Sequence, residues 1–379
     1  MDFQLSEEQT LIQDMARNFA ATELAPYSSK WDEEKFLDRD VFTKAAELGF
    51  LGIYTSEEHG GTALSRLDSA LVFEQLAAGD VSHTAMMTIH NMATWMIDRY
   101  GDEAVRAKYV PRLTAGELIA SYCLTEPGAG SDAASLTTKA VREGDEYVLN
   151  GTKTFISGAG WSDIYVVMAR TSDDGARGVS TFVIEKGTDG LSFGTTEKKM
   201  GWNAQPTAQV IMEDCRIPAG NRIGAEGDGF KFAMSGLDGG RINIGACSLG
   251  GAQKALDATL QYTKERSQFG KAISDFQNTQ FMLADMATEL EASRMMIYRA
   301  ADMLDKKLPY AGAACAMAKR FSTDMCSKIA NDALQLHGGY GYLSEYQIEQ
   351  IVRDLRVHQI LEGTNQIMRM IVSRSLLRQ

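Results

Sequence analysis

The chain has 379 residues, with 38 Lys plus Arg against 50 Asp plus Glu, 44% hydrophobic and 23% charged, which is the composition of two or three globular domains and not of a disordered chain. The formal net charge of −12 argues against a nucleic-acid partner and against docking on an anionic membrane, because both need a basic face. No apolar run approaches the roughly 18 residues of a membrane-spanning helix.

Cys123, Cys215, Cys247, Cys315 and Cys326 form no C-x-x-C pair and read as reduced thiols. With few, scattered histidines no metal site is expected. The start, Met1 to Glu8, is acidic and polar, unlike a signal or transit peptide. The expected compartment is the bacterial cytoplasm, or the mitochondrial matrix for a mature eukaryotic form.

Ser6 and Gln9 make a capping box before an apolar stripe at Ile12, Met15, Ala16 and Phe19, which predicts a helix stopped by Pro26. Further helices are predicted from about Asp40 to Gly49, from Leu67 to Gly79, and through the Met-rich stretch before Gly101, with these glycines as C-caps.

The middle third changes period. Tyr147–Leu149, Ile164–Met168 and Thr181–Ile184 are short β-branched or aromatic runs, with turns expected at Asn150-Gly151 and Asp173-Asp174-Gly175. No helical pattern intervenes, so antiparallel β is expected and not a βαβ sheet.

After Pro218 only Pro309 occurs, which permits long helices. Leu283, Leu290, Ile297 and Leu304 recur every seven residues, with Met286 and Ala300 as a second seam, the pattern of a helix bundle. Pro309 suits the first turn of the helix that follows. The expected fold class is α+β: an N-terminal α-helical domain over 1–119, a middle antiparallel β domain over 120–228, and a C-terminal α-helical bundle over 229–379.

Gly128-Ala129-Gly130-Ser131-Asp132-Ala133 nominally fits a dinucleotide fingerprint, but that reading needs a helix opening directly after it. A glycine loop can still present N–H groups to an anion or a flat ring, or be a tight turn. Gln335-Leu336-His337-Gly338-Gly339 is either a multi-glycine helix end or a place of close approach to a ligand, with His337 packed or in contact. Leu361-Glu362-Gly363-Thr364-Asn365-Gln366 places an acid in an apolar helical context. It is a surface glutamate at a helix break, or a carboxylate in an apolar cleft with a raised pKa suited to proton abstraction. Asp238 to Arg241 and Arg266 to Gly270 set arginines beside flexible backbone.

Taken together, Cys123 to Ser135 and Gln335 to Asp354 resemble the two signatures of the acyl-CoA dehydrogenase family. Gln350 departs from the second, standing where the family usually has a basic residue. The helical, β, helical order resembles the family fold, with a β-barrel or sandwich in the middle and a four-helix bundle at the end. Segments such as Phe155 to Gly160, Gly239 to Ile244 and Val357 to Gly363 are most similar to members that act on isobutyryl-CoA.

The resemblance implies FAD. It implies flavin contacts at Tyr122, Leu124, Thr125, Gly130, Ser131, Phe155 and Ser157, and at Thr364 and Gln366. It implies cofactor contacts across a subunit boundary from Arg266, Gln268 and Phe269 and from Gln335, Leu336, His337, Gly338 and Gly339. Ser131, Asp238, Arg241, Leu361 and Gly363 are implied acyl-CoA contacts. Glu362 is the implied base, taking an α-proton while a β-hydride leaves for the flavin. The position before Arg241, where some members carry the base, is here Gly240. Leu361 stands where straight-chain relatives often have Tyr, which leaves room for a methyl on the α-carbon. A homotetramer passing electrons to an electron-transfer flavoprotein is expected, with isobutyryl-CoA converted to methacrylyl-CoA in valine breakdown. Alternatives are a short-chain or 2-methylbutyryl-CoA specificity, an acyl-CoA oxidase, and a non-catalytic scaffold.

Overall fold

The computed structural model describes residues 4–378, so part of the acidic start, Met1 to Phe3, lies outside the described residues. The Ser6 hydroxyl accepts from the Gln9 N–H and the Gln9 side chain accepts from the Ser6 N–H, so the capping box opens α1 (Glu7–Phe19). Ala16 and Phe19 are buried on its inner stripe, while Met15 faces out. A π-type turn, Ala20–Leu24, extends the helix toward Pro26.

Next come α2 (Ser28–Glu34), α3 (Arg39–Glu47), α4 (Arg66–Gly79), α5 (Val81–Tyr100) and α6 (Glu103–Thr114). Of the three glycines expected as caps, Gly49 is left-handed at φ 77 and Gly101, though extended, caps α5 with its N–H donating to the Ile97 carbonyl, but Gly79 is the last residue of α4. The reason is Asp80, whose carboxylate accepts from the His83 N–H and starts α5 one residue after α4 ends, leaving no left-handed link between them.

The middle of the chain is one sheet built from β1 (Ala120–Cys123), β2 (Lys139–Glu143), β3 (Glu146–Ser157), β4 (Ile164–Arg170), β5 (Val179–Glu185), β6 (Leu191–Phe193), β7 (Thr207–Pro218) and β8 (Arg222–Ile223). The strand order is β6-β7-β3-β2-β4-β5-β8, with β1 beside β4. Most neighbours are antiparallel, as expected, but β1 runs parallel to β4 and β2 meets β4 in parallel at Lys139 and Arg170. The sheet is therefore mixed. The chain between β1 and β4, which includes the β2–β3 hairpin, supplies the long return that a parallel pair needs.

Asn150-Gly151 is not a turn. It lies inside β3 at a bulge opposite β7, where Gly151 has φ 150 and a Cβ would come within 2.5 Å of Thr138. The hairpin turns at Gly144 instead, at φ 62. Asp173 to Gly175 does turn between β4 and β5.

The last part holds α7 (Gly229–Glu265), a small hairpin of β9 (Ser267–Gln268) and β10 (Lys271–Ala272), α8 (Gln277–Asp305), α9 (Ala311–His337), α10 (Ile348–Arg356) and α11 (Asn365–Leu377). Met286, Leu290, Ile297 and Ala300 of α8 are buried, and Leu283 and Leu304 pack partly buried against the same core. Pro309 stands before α9 and not in its first turn, because left-handed Tyr310 (φ 66) intervenes as the cap. One apolar core joins α1, α4 and the start of α5 to α7, α8, α9 and α10, while the sheet encloses a separate core around Tyr147, Tyr165 and Phe182. All five cysteines are buried and free. Among the described residues no helix is long and apolar enough to cross a membrane.

Candidate active site

Glu362 sits in the turn between the 3-10 segment Val357–Gln359 and α11. It has φ 55 and Gly363 has φ 87, so two consecutive left-handed residues reverse the chain. For a glutamate this conformation costs roughly 1–2 kcal/mol, which the surroundings must offset. Lys319 Nζ donates to the Gly363 carbonyl at 2.8 Å and to Asn365 Oδ1 at 2.9 Å. The Thr364 hydroxyl accepts from the Ile367 N–H and caps α11. Arg241 Nε donates to the Glu362 carbonyl at 3.4 Å, and its Nη1 pairs with Asp238 Oδ1 at 2.6 Å.

The turn is thus gripped from α7 and α9, and the carboxylate is left alone. Glu362 Oε2 is buried and has no hydrogen-bond partner. It rests on α7, where a Cβ on Gly240 would lie 2.4 Å from it. Burial pushes the Glu362 carboxyl up; Arg241 and Lys319 oppose this, and the result is about 7. A dry carboxylate near neutrality is suited to general-base work.

Tyr122, Leu124 and Thr125 lie on β1 and the loop after it. That loop is fastened by Glu126, whose carboxylate accepts from the N–H groups of Thr137 and Thr138 and from Lys153 Nζ at 2.7 Å. Only a three-residue 3-10 turn and then β2 follow Gly130 and Ser131, so no helix opens there. The loop meets β3 where the Thr154 N–H donates to the Thr125 carbonyl and Ser121 Oγ donates to the Ser157 carbonyl. Phe155 stands at a second bulge, φ 57, with 69% of its surface exposed. Tyr122 reaches α7, its hydroxyl 3.5 Å from the Ala233 carbonyl, and its phenol pKa is raised by burial and by Glu362. Tyr122 thus ties this strand to α7 and to Glu362, while Thr364 and Gln366 stand beside the turn at the start of α11. Leu361 is partly buried against the core beside the turn.

The other expected cofactor contacts gather elsewhere. Arg266 follows α7 and lies 5.3 Å from the Tyr340 ring centre; Tyr262 stacks on His337 at 4.3 Å. His337 is a packed histidine, buried, with Nδ1 donating to the Ala333 carbonyl at 2.8 Å. Gln335, Gly338 and Gly339 are exposed beside it, as are Gln268 and Phe269 at the β9–β10 hairpin, Phe269 at 94%. From Gly240 to the end of α7 the helix rises roughly 37 Å, so this cluster stands that far along the helix from the contact with Glu362.

Sequence reasoning missed Lys319, Asn365 and a bridge from the sheet side: the Trp202 N–H donates to Asp354 Oδ1 at 2.5 Å, its ring N–H donates to His358 Nε2, and His358 Nδ1 meets Ser248 Oγ at 2.7 Å. Lys319 carried a signal, because it directly follows the apolar run Ala313-Ala314-Cys315-Ala316-Met317-Ala318 on a bundle helix, where burial of a charge requires partners. Gln350, the departure from the family pattern, is buried and donates to Ser28 Oγ at 3.2 Å.

A helical, β, helical chain with an unpartnered carboxylate oxygen buried against the helix that follows the sheet is the architecture of one enzyme class. Family models described as the acyl-CoA dehydrogenase N-terminal, middle and C-terminal domains match residues 6–117, 121–215 and 227–377. The chain belongs to the acyl-CoA dehydrogenase family. It is 56% identical over 375 residues to the mitochondrial isobutyryl-CoA dehydrogenase of Bos taurus, covering 99% of this chain and 90% of that one. The solved butyryl-CoA dehydrogenase from Megasphaera elsdenii superposes with a TM-score of 0.97 at 37% identity, covering both chains fully. The structure "PigA with FAD and proline" gives 0.97 at 35% identity, again over 100% of each chain.

Proposed function

We propose that the chain is an FAD-dependent dehydrogenase of short branched acyl-CoA thioesters, converting isobutyryl-CoA to methacrylyl-CoA with Glu362 as the base. The observation that carries this reading is the Glu362 carboxyl, its Oε2 buried without a partner against Gly240 and its pKa raised to about 7.

A thioester α-proton is weakly acidic, so its removal needs a base held out of water. Glu362 Oε2 has no other partner and takes the proton. Arg241 and Lys319 hold the backbone of the turn, so the carboxylate is aimed before substrate arrives. Leu361 leaves space beside the base for the methyl on a branched α-carbon. One methyl is worth only ~1–3 kcal/mol of discrimination, so straight-chain substrates should be slowed and not excluded.

We read the space bordered by β1, the β3 bulge and α7 as the cleft for FAD. Phe155 displays an exposed ring at the β3 bulge, and a Cβ on Gly128 or Gly130 would meet nothing within 4 Å, leaving that loop open. Tyr122, Leu124, Thr125, Gly130, Ser131, Phe155, Ser157, Thr364 and Gln366 would hold the flavin end. Bound FAD supplies the acceptor for the hydride of the β-carbon.

The cluster at Arg266, Gln268, Phe269 and Gln335 to Gly339 is too far along α7 to serve the same cofactor molecule within one chain. A second copy supplying it is what a homotetramer provides. A groove of about 480 Å³, lined by apolar side chains such as Met296, Phe321 and Leu376 together with Arg320 and Arg369, gives a further face for self-association. Electrons then pass to an electron-transfer flavoprotein. The buried, free thiols suit a reducing compartment, bacterial cytoplasm or mitochondrial matrix.

Anaerobic titration of the purified yellow protein with isobutyryl-, 2-methylbutyryl- and butyryl-CoA tests the reading. Fastest bleaching by isobutyryl-CoA is expected. A clear butyryl-CoA preference removes the branched assignment, and no bleaching by any of the three removes the activity.

A further inference from the structure

Arg66, the first residue of α4, is only 7% exposed, and its Nη1 is buried without a hydrogen-bond partner. Its backbone is fully engaged, because Asp305 accepts from the N–H groups of Arg66 and Leu67. The guanidinium lies over the Tyr54 ring, 3.5 Å from its centre, and 4.9 Å from that of Trp95. Stacking between rings fixes the plane of an arginine, but it does not satisfy the N–H that points away from them.

That N–H points at α7. A Cβ on Gly239 would lie 2.5 Å from Nη1 and 2.9 Å from Cζ, just as one on the next residue, Gly240, would lie 2.4 Å from Glu362 Oε2. Consecutive glycines thus receive the cation and the base on neighbouring strips of one helix. A Cβ on Gly240 would also lie 3.2 Å from Met92 Sδ, and one on Gly236 3.3 Å from Met96 Sδ, so sulfur groups of α5 border the same strip of α7. Tyr54 is buried alongside: burial raises its phenol pKa, Arg66 opposes this, and Glu362 adds to it. Its hydroxyl accepts from Asn243 Nδ2 at 3.1 Å, whose Oδ1 is another buried atom without a partner.

We propose that Arg66 is a specificity-determining residue that closes the acyl end of the cleft beyond Glu362, admitting acyl groups of about four carbons and rejecting longer ones. The inference rests on the acyl-CoA reading above. A longer chain has to run into an immobile guanidinium instead of an apolar floor. Two methylenes that cannot be buried should cost at least about tenfold in kcat/KM. Methionine in place of Arg66 removes the charge and supplies an unbranched apolar side chain that can move aside.

The test compares kcat/KM for isobutyryl-CoA and hexanoyl-CoA in the wild-type holoenzyme and in Arg66→Met. The wild type should favour isobutyryl-CoA at least about tenfold, and Arg66→Met should lower that ratio at least about tenfold. A flavin-loaded Arg66→Met with the wild-type ratio overturns the proposal, as does a wild type that uses hexanoyl-CoA equally well. If Arg66→Met does not retain flavin, Arg66→Lys is read in its place, with a shorter, more mobile cation expected to relax the ratio. Loss of flavin in both variants assigns Arg66 to the scaffold and also overturns the proposal. A wild type inactive toward every acyl-CoA would defeat the functional reading instead, which is a separate outcome.

Discussion

The Glu362 carboxylate is in van der Waals contact with the backbone of Gly240: a methyl carbon there would lie 2.4 Å from Oε2 and 2.9 Å from Cδ. Gly240 is inside α7, where alanine is favoured over glycine by up to about 1 kcal/mol. Gly240→Ala should therefore keep or raise the Tm while pushing the carboxylate aside. A misplacement of about 1 Å can cost on the order of 100-fold, so kcat should fall at least tenfold with FAD content little changed. Unchanged kcat in a well-folded variant would mean that the carboxylate does not need this position.

Glu126 fastens the glycine loop to Lys153, which is fully buried. Burial pushes the Glu126 carboxyl up, but Lys153 and the Thr137 and Thr138 groups hold it at about 2. A folded-state pKa below that of a free carboxyl gives stability that is present above pH 4.5 and is lost as pH falls through 2. Glu126→Gln leaves Lys153 uncompensated and should cost about 3–5 kcal/mol, with release of flavin. Chemical denaturation at pH 7 and flavin absorbance check this; a loss under 1 kcal/mol would contradict it.

Lys319 contributes both position and charge. Its ammonium holds the Gly363 carbonyl and lowers the Glu362 pKa; burial in turn lowers its own, which Glu362 partly offsets, leaving about 8. Lys319→Met should shift the alkaline-rising limb of the pH–rate profile to higher pH and lower kcat. Rate profiles of the two proteins over pH 6 to 9 test it, and an unmoved midpoint would exclude the electrostatic role.

The Glu362 pKa of about 7 lies above the 4.5 of a free glutamate. The folded state thus favours the protonated side chain, and that preference is complete below pH 4.5 and lost as pH rises through 7. Glu362→Gln, which cannot ionise, should equal the parent in stability at pH 4.5 and exceed it at pH 8 by about 3 kcal/mol. In the parent, kcat/KM should rise with pH to half its plateau near 7. A half-point below 5 would contradict the buried setting.

The helices announced themselves in the sequence through local chemistry: the Ser6–Gln9 box, the seven-residue spacing on α8, and the lack of proline after Pro218. The Asn150-Gly151 turn was misread because the dipeptide favours a positive φ equally in a hairpin and at a bulge, and only the Thr138 contact decides. Glu362 was legible as an acid before glycine in an apolar context. Its raised pKa was one of two open readings, undecided because Arg241 lies 121 residues away and the Lys319 contact to Gly363 spans 44. Arg66 gave no signal, since a charge at the start of a helix is ordinarily solvated and its burial depends on Tyr54, Trp95 and Gly239 coming together.

The central claim is that one unpaired carboxylate removes the substrate proton. Rapid-mixing reduction of the bound flavin by isobutyryl-CoA in Glu362→Gln tests it most directly. The account predicts normal FAD content, retained acyl-CoA binding and a reduction rate lower by at least about 100-fold. Reduction within threefold of the wild type, in a variant that binds both, would contradict it.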